Sequence, residues 1–345
     1  MIRFDSDYLE GGHPAVLRRL TETNPLQTTG YGNDPYCREA ANLIRSLCLA
    51  PEAQVHFFMG GTQVNRTMIA AALRPHQGVV APETGHIAVH ESGAIENSGH
   101  KVITLPSHDG KLDAAEVEAL CQAHYGDESA EHMVQPGMVY ISNPTEVGTV
   151  YSREELQALH DVCRRWHMPL YLDGARLGCA LVAAKNDYTL ADMASLVDAF
   201  TIGGTKMGAL FGEALVLMNP ALGEDLRYII KQNGGMLAKG RLLGVQFLAL
   251  LEDDLYGRIA QHEVDLALTL QKELARKSIP FMVGSPTNQQ FPILSDGALS
   301  AIRDRFGFSL WQKLDGGMNV VRFCTSWATT PKQVAQLTEA IPYPY

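Results

Sequence analysis

Two positions carry side chains at odds with the apolar runs that lead into them. In "YLDGARLG" (171–178) Asp173 follows "PLYL", and thirty-three residues on, in "FTIGGTKMGALFGEALVLM" (200–218), Lys206 follows "AFTIGG". If both runs are strands of one parallel sheet, the acid and the lysine project from the same carboxyl edge, where ligands of such sheets bind. An isolated Asp-Gly pair reads as a turn, but a lysine among small residues on the same edge is poorly explained as a solvated charge. A lysine amine can condense with an aldehyde cofactor. A carboxylate can keep a ring nitrogen protonated through a charge-assisted hydrogen bond, so that the ring accepts electrons from a carbanion. Together the two residue types point to pyridoxal phosphate.

Upstream, "FFMGGTQVN" sets two glycines between an apolar run and a helical pattern that begins at Thr62. Such a turn lets backbone N–H groups and a hydroxyl converge on an anion. Neither G-x-G-x-x-G nor G-x-x-x-x-G-K-[ST] occurs, which disfavours a nicotinamide-dependent oxidoreductase or a P-loop enzyme. His86 and His90 in "HIAVHE" do not form H-E-x-x-H and have no evident third ligand, so no metal site is expected.

The elements that must position these groups follow from hydrophobic patterning. "VHFF", "GVVAP", "KVITL", "MVYIS", "MPLYLD", "AFTIG" and "EALVLM" are apolar on consecutive positions and are separated by helical stretches. Strands apolar on both faces imply a largely parallel sheet covered on both sides. "SREELQALHDVCRRWH" opens a helix with Ser152 and Glu155 in a capping-box arrangement and ends against Pro169. Beyond about residue 245, long helical patterns ("RIAQHEVDLALTLQKELARK", "GALSAIRDRF") surround short segments ("QQFPIL", "VVRFCTSW"), which suits a smaller α+β domain.

The chain has 345 residues, 46% hydrophobic and 19% charged, the balance of a globular protein. Acidic residues exceed basic ones by ten, which argues against a nucleic-acid partner. "LLGVQFLALL" is too short to cross a bilayer, and the N-terminus lacks a signal-peptide core, so a cytoplasmic protein is expected. Six scattered cysteines without C-x-x-C read as buried thiols.

In family order, "FDSDYLEG", "GYGNDP", "GGTQVN", "GHIAVHESGA", "LDGARL", "GGTKMGALFGEALV" and "VRFCTSW" resemble the threonine aldolase/β-eliminating lyase group of fold-type-I pyridoxal-phosphate enzymes. The set spans residues 4 to 327 and is most like the low-specificity L-threonine aldolases. The resemblance implies an α/β fold: an N-terminal segment (1–14) contributing to the active site, a fold-type-I major domain (15–245) with a seven-stranded, mostly parallel sheet, and a small α+β domain (246–345). It also implies roles. Lys206 would carry the aldehyde as a Schiff base, Asp173 would hold the pyridinium, and His86 would stack on the ring. Gly61, Thr62, Thr205 and Asn65 would bind the phosphate. Ser6, Arg176 and Arg322 would hold the substrate carboxylate, Arg176 also lying near the cofactor. Tyr31 matches a residue that reaches the neighbouring subunit's site, which implies a homodimer or a dimer of dimers. The reaction implied is cleavage of a β-hydroxy-α-amino acid to glycine and an aldehyde. β-Elimination and aminotransfer are the alternatives, and a protein that keeps the fold without catalysis is a remoter one.

Two departures from the family pattern bear on these roles. The glycine-rich stretch has Leu237 where an arginine is usual, with Lys239 two positions on. Many family members show N-T-H after the strand matching "MVYIS". Here the sequence is "SNPTEVGT", with Thr145 at the histidine position and Glu146 beside it. Retro-aldol cleavage needs a base for the substrate hydroxyl, and Thr145 cannot serve unaided. His90 and Glu146 are the candidates, and His90 shares a face with His86 if that segment is helical.

Overall fold

Seven apolar runs pair into one sheet in the computed structural model, which describes residues 1–343. They are β1 (Gln54–Phe58), β2 (Gln77–Pro82), β3 (Val102–Leu105), β4 (Gln135–Ser142), β5 (Leu170–Asp173), β6 (Ala199–Gly203) and β7 (Glu213–Leu217). Their spatial order is β1-β7-β6-β5-β4-β2-β3. All run parallel except β7, which is antiparallel to both β1 and β6. Strands β5 to β7 are buried at every position, as their unbroken apolar character predicts.

Side-chain alternation sorts the sheet into two cores. Val139, Ile141, Leu170 and Leu172 join one apolar cluster, and Met138, Tyr140 and Tyr171 join the other across the sheet. Each fully buried large apolar side chain contributes roughly 1.5–3 kcal/mol. The expected helix after "VY" runs Arg153–Arg165, and both capping-box bonds form: Glu155 N–H donates to Ser152 Oγ at 3.2 Å and Ser152 N–H to Glu155 Oε2 at 2.7 Å. Such a cap adds about 1 kcal/mol.

A third cluster gathers Leu266, Leu270 and Leu274 of the long helix Leu255–Arg276 with Val321, Phe323, Val334 and Leu337. The strands Ile293–Ser295, Met318–Cys324 and Ser309–Lys313 form its antiparallel sheet. The expected boundary at 245/246 falls inside the helix Arg241–Leu251, whose Phe247 and Leu250 belong to the first core. The passage from one core to the other comes along Leu255–Arg276 instead: Ile259 and Val264 face the first cluster, Leu270 and Leu274 the third. The last two residues of the expected small domain lie outside the described residues.

The N-terminal segment is tied to this third cluster. Ile2–Arg3 pairs in parallel with Phe306–Gly307, Phe4 is buried among the cluster's side chains, and Cys324 N–H donates to Phe4 O at 2.7 Å. Ser6, Asp7 and Tyr8 are thereby carried toward the edge of the large sheet.

Candidate active site

The carboxyl ends of the parallel strands converge on a cavity of about 310 Å³. Its walls include Gly60, Gly61, Thr62, His86, Thr145, Glu146, Asp173, Arg176, Thr205 and Lys206, nine of the expected site residues plus Gly60. Asp173 ends β5, opposite Ser142 at the end of β4, and Lys206 sits in a single turn, Thr205–Met207, just after β6. Gly174 has a steric reason: its N–H donates to Thr201 Oγ1 at 2.8 Å, and an added Cβ would collide with the Thr201 carbonyl. The Asp-Gly pair is thus a tight turn that also aims the acid.

Asp173 is held by donors. Oδ2 accepts from Asn65 Nδ2 at 2.8 Å and Tyr140 OH at 2.9 Å, and Oδ1 accepts from Ala175 N–H at 3.0 Å. Burial pushes the Lys206 ammonium pKa down, and the Arg176 charge adds to the shift. Across from it lies Glu213, whose carboxyl is pushed up by burial. Glu213 is in the cavity because β7 runs against its neighbours. Its first residue pairs with Phe58 and Gly203, the last residues of β1 and β6.

At the glycine turn, the helix runs Gly61–Ala72, one residue earlier than expected, with no side-chain cap at Gly60. A Cβ added at Gly60 or Gly61 would meet nothing within 4 Å. Uncapped N–H groups beside open space are able to receive an anion. Asn65 does not join them. That residue is fully buried, its Oδ1 accepts from Tyr171 OH at 2.7 Å, and its Nδ2 donates to Glu91 and Asp173. The correction is geometric: Asn65 lies a turn beyond the helix start, which aims it beneath the acid rather than at the anion.

His86 opens a one-turn helix, His86–Val89, and its Nδ1 lies 2.8 Å from Glu91 Oε1. Glu146 Oε1 accepts from His86 N–H at 2.8 Å and Ser142 Oγ at 2.6 Å, whereas its Oε2 is buried without a partner. Burial pushes the Glu146 carboxyl up. His90 ends that helical turn with its ring 5.6 Å from that of His86 and 6.3 Å from Trp311, but it is outside the cavity wall. Burial pushes its imidazole down. Thr145 is engaged in its own turn, with Oγ1 2.7 Å from Thr149 Oγ1.

At the expected carboxylate end, Arg176 grips Asp7 through Nε (2.5 Å) and Nη2 (3.0 Å). Burial alone would push the Asp7 carboxyl up. The Arg176 charge and hydrogen bonds overcome it and hold Asp7 at about 2. Ser6 Oγ and Arg322 Nε are both buried without hydrogen-bond partners, and the Arg322 guanidinium lies 5.5 Å from the Trp311 ring centre. Neither forms part of the cavity wall. Tyr31 is elsewhere in the chain's fold. It is 46% exposed and borders a smaller cavity with His56, Arg227 and Leu237. Lys239 is exposed on a separate surface groove.

Sequence reasoning passed over Asp7, Tyr8, Glu91, Ser142 and Glu213. Asp7 and Glu91 stand inside "FDSDYLEG" and "HESGA", and Glu213 is the lone acid opening an apolar run, so each left a faint signal.

Comparison with known proteins gives a consistent picture. A family model described as beta-eliminating lyase matches residues 4–296. A low specificity L-threonine aldolase of Pseudomonas aeruginosa is 30% identical over 343 residues, 98% of this chain and 96% of that protein. A solved threonine aldolase from Leishmania major has a TM-score of 0.96 at 44% identity, covering 99% of this chain and 98% of that one. A double-mutant aspartate aminotransferase from Thermus thermophilus has a TM-score of 0.70 at 14% identity, over 99% and 90% of the two chains, and shares the fold alone.

Proposed function

The chain belongs to the beta-eliminating lyase family, and on that premise we propose that it is a pyridoxal-phosphate enzyme cleaving β-hydroxy-α-amino acids of the L-threonine type to glycine and an aldehyde. One observation carries the reading: a single cavity walled by the Lys206 amine, the Asp173 carboxylate and the uncapped helix start at Gly61 and Thr62. These match an aldehyde, a ring nitrogen and a phosphate, the three handles of that cofactor. The residues therefore fit the group.

Bound pyridoxal phosphate supplies a sink for the electron pair left at Cα when the Cα–Cβ bond breaks. The protein does the rest. Burial lowers the Lys206 pKa, which favours the neutral, nucleophilic amine. Asn65 and Tyr140 orient Asp173 as the partner for the ring nitrogen. Gly61, Thr62 and Thr205 would hold the phosphate, and the His86 ring would cover the cofactor. Ser6 Oγ and Arg322 Nε, each buried without a partner, would join Arg176 in holding the substrate carboxylate. Asp7 takes the Nε and Nη2 of Arg176, so the share of Arg176 in that contact would fall to Nη1. Glu146 would take the hydroxyl proton as the carbon–carbon bond breaks, since its Oε2 is buried and unpartnered in a residue that walls the cavity. Supporting a homodimer or dimer of dimers, Tyr31 is exposed and does not line its own chain's lysine cavity. A cytoplasmic setting fits a chain in which no described helix is long and apolar enough to cross a membrane.

The test is an amino-acid panel scored for aldehyde and glycine. L-Threonine or L-allo-threonine should release acetaldehyde, and Lys206→Ala should lose both that activity and the visible colour of the cofactor-loaded protein. Colour and turnover that survive Lys206→Ala would refute the reading. The family description also favours a second reading, β-elimination, which pyruvate and ammonia in place of acetaldehyde would establish.

A further inference from the structure

We infer that Glu91 is a positioning residue that fixes the His86 ring with its proton on Nδ1, leaving Nε2 as the ring's hydrogen-bond acceptor. The side chain of Glu91 is fully buried, and its Oε1 lies 2.8 Å from His86 Nδ1 and 2.8 Å from Asn65 Nδ2. The orientation of the Asn65 amide is forced by its other partners. Its Oδ1 takes the Tyr171 hydroxyl proton at 2.7 Å, and its two N–H bonds go to Glu91 Oε1 and Asp173 Oδ2. Were the amide reversed, its oxygen would face two carboxylates. Glu91 Oε1, already the acceptor of the Asn65 N–H, offers a lone pair and not a proton. The hydrogen between Glu91 and His86 must then come from the imidazole.

A continuous line of donors and acceptors results: His86 Nδ1–H to Glu91, Asn65 to Glu91 and to Asp173, and Tyr140 to Asp173. It joins the imidazole that walls the cavity to the acid that ends β5. The local chain is shaped to allow this contact. Just after Glu91, Ser92 (φ 52°) and Gly93 (φ 70°) adopt left-handed conformations that turn the backbone away. His86 is also held at its backbone N–H by Glu146. The opposite tautomer would set a ring lone pair 2.8 Å from an oxygen of the fully buried Glu91 carboxylate, a repulsive contact. On the functional reading above, the ring that covers the cofactor therefore presents Nε2 as an acceptor.

The experiment is 15N NMR of histidine-labelled protein, with and without added pyridoxal phosphate, the His86 signals being assigned by their loss in His86→Asn. The expected spectrum shows a pyrrole-type Nδ1 and a pyridine-type Nε2, and two pyrrole-type nitrogens would overturn the inference. Glu91→Ala should release the ring to the Nε2–H form and lower kcat about 10–100-fold, by analogy with a metal-ligating imidazole that loses its carboxylate partner, with little change in KM. Glu91→Gln keeps an acceptor and should keep the tautomer and most of kcat. An Nε2-protonated ring in the wild type overturns the inference, and so does an unchanged tautomer in Glu91→Ala. The wild-type spectrum decides even if the alanine variant fails to fold. Only the kinetic arm rests on the aldolase reading: a protein with the expected spectrum but no aldehyde release would retain this inference and lose that reading.

Discussion

Glu146 shows how its surroundings suit one residue to a proposed chemical role. Ser142 and the His86 backbone N–H occupy one carboxylate oxygen and leave the other buried and unpartnered. A base for the substrate hydroxyl typically supplies ~10²–10⁴ in rate, so Glu146→Gln should lower kcat by about that range while cofactor content is unchanged. His90→Asn should cost turnover less than Glu146→Gln, because Glu146 lines the cavity and His90 does not. The pH dependence follows from the same environment. Burial raises the Glu146 pKa above its ordinary 4.5, and a base must be ionised to act. Activity should therefore fall as pH drops through that raised value, and the acid limb should disappear in Glu146→Gln. A kcat/KM profile across the acid range of both proteins is the check. The proposed base was legible in the sequence only as a choice between two residues, since neither acid nor imidazole reveals from its type which one folding sets in the cavity wall.

At the scale of elements, close backbone approach does what side-chain type alone cannot. The helices Pro35–Leu47 and Arg241–Leu251 cross at Gly244, where an added Cβ would collide with the backbone of Cys37. Backbone cannot swing aside as a flexible side chain can. Gly244→Ala should therefore cost about 1–3 kcal/mol, read as a lower midpoint in urea with an unchanged m-value. Strand direction matters in the same way. Apolar runs marked all seven strands of the large sheet, but hydrophobicity carries no sense of direction. That β7 runs backward, and so delivers Glu213 to the cavity, emerges only from the pairing with β1 and β6. The capping box at Ser152 was legible because its two partners are three residues apart and the bonds are local.

For the whole molecule, the N-terminal segment is the connecting thread. It adds a parallel strand beside Phe306–Gly307, buries Phe4 in the small-domain core and places Asp7 against Arg176 at the cavity. The proposed oligomer can be tested at this scale. If Tyr31 serves a neighbouring subunit's site, Lys206→Ala and Tyr31→Ala protomers, each inactive or weak alone, should complement on mixing. Random pairing of equal amounts in a dimer restores about a quarter of the sites. Sedimentation of a monomer, or mixtures with no recovered activity despite subunit exchange, would count against shared sites.

Residues 171–178 and 200–218, with the glycine turn at 60–61, marked the sheet edge, the acid, the amine and the helix start that line the cavity from sequence alone. They could do so because a strand followed at once by a polar group is a local pattern, and local patterns survive folding. Tertiary structure alone decided that Asn65 props the acid instead of binding the anion, that Asp7 occupies Arg176, and that Glu91 lies behind His86. Two of those pairs are 108 and 169 residues apart. The third spans five residues but depends on a left-handed turn and on Asn65 from another helix. Each is set by which donors and acceptors burial leaves facing one another, and no spacing along the chain encodes that.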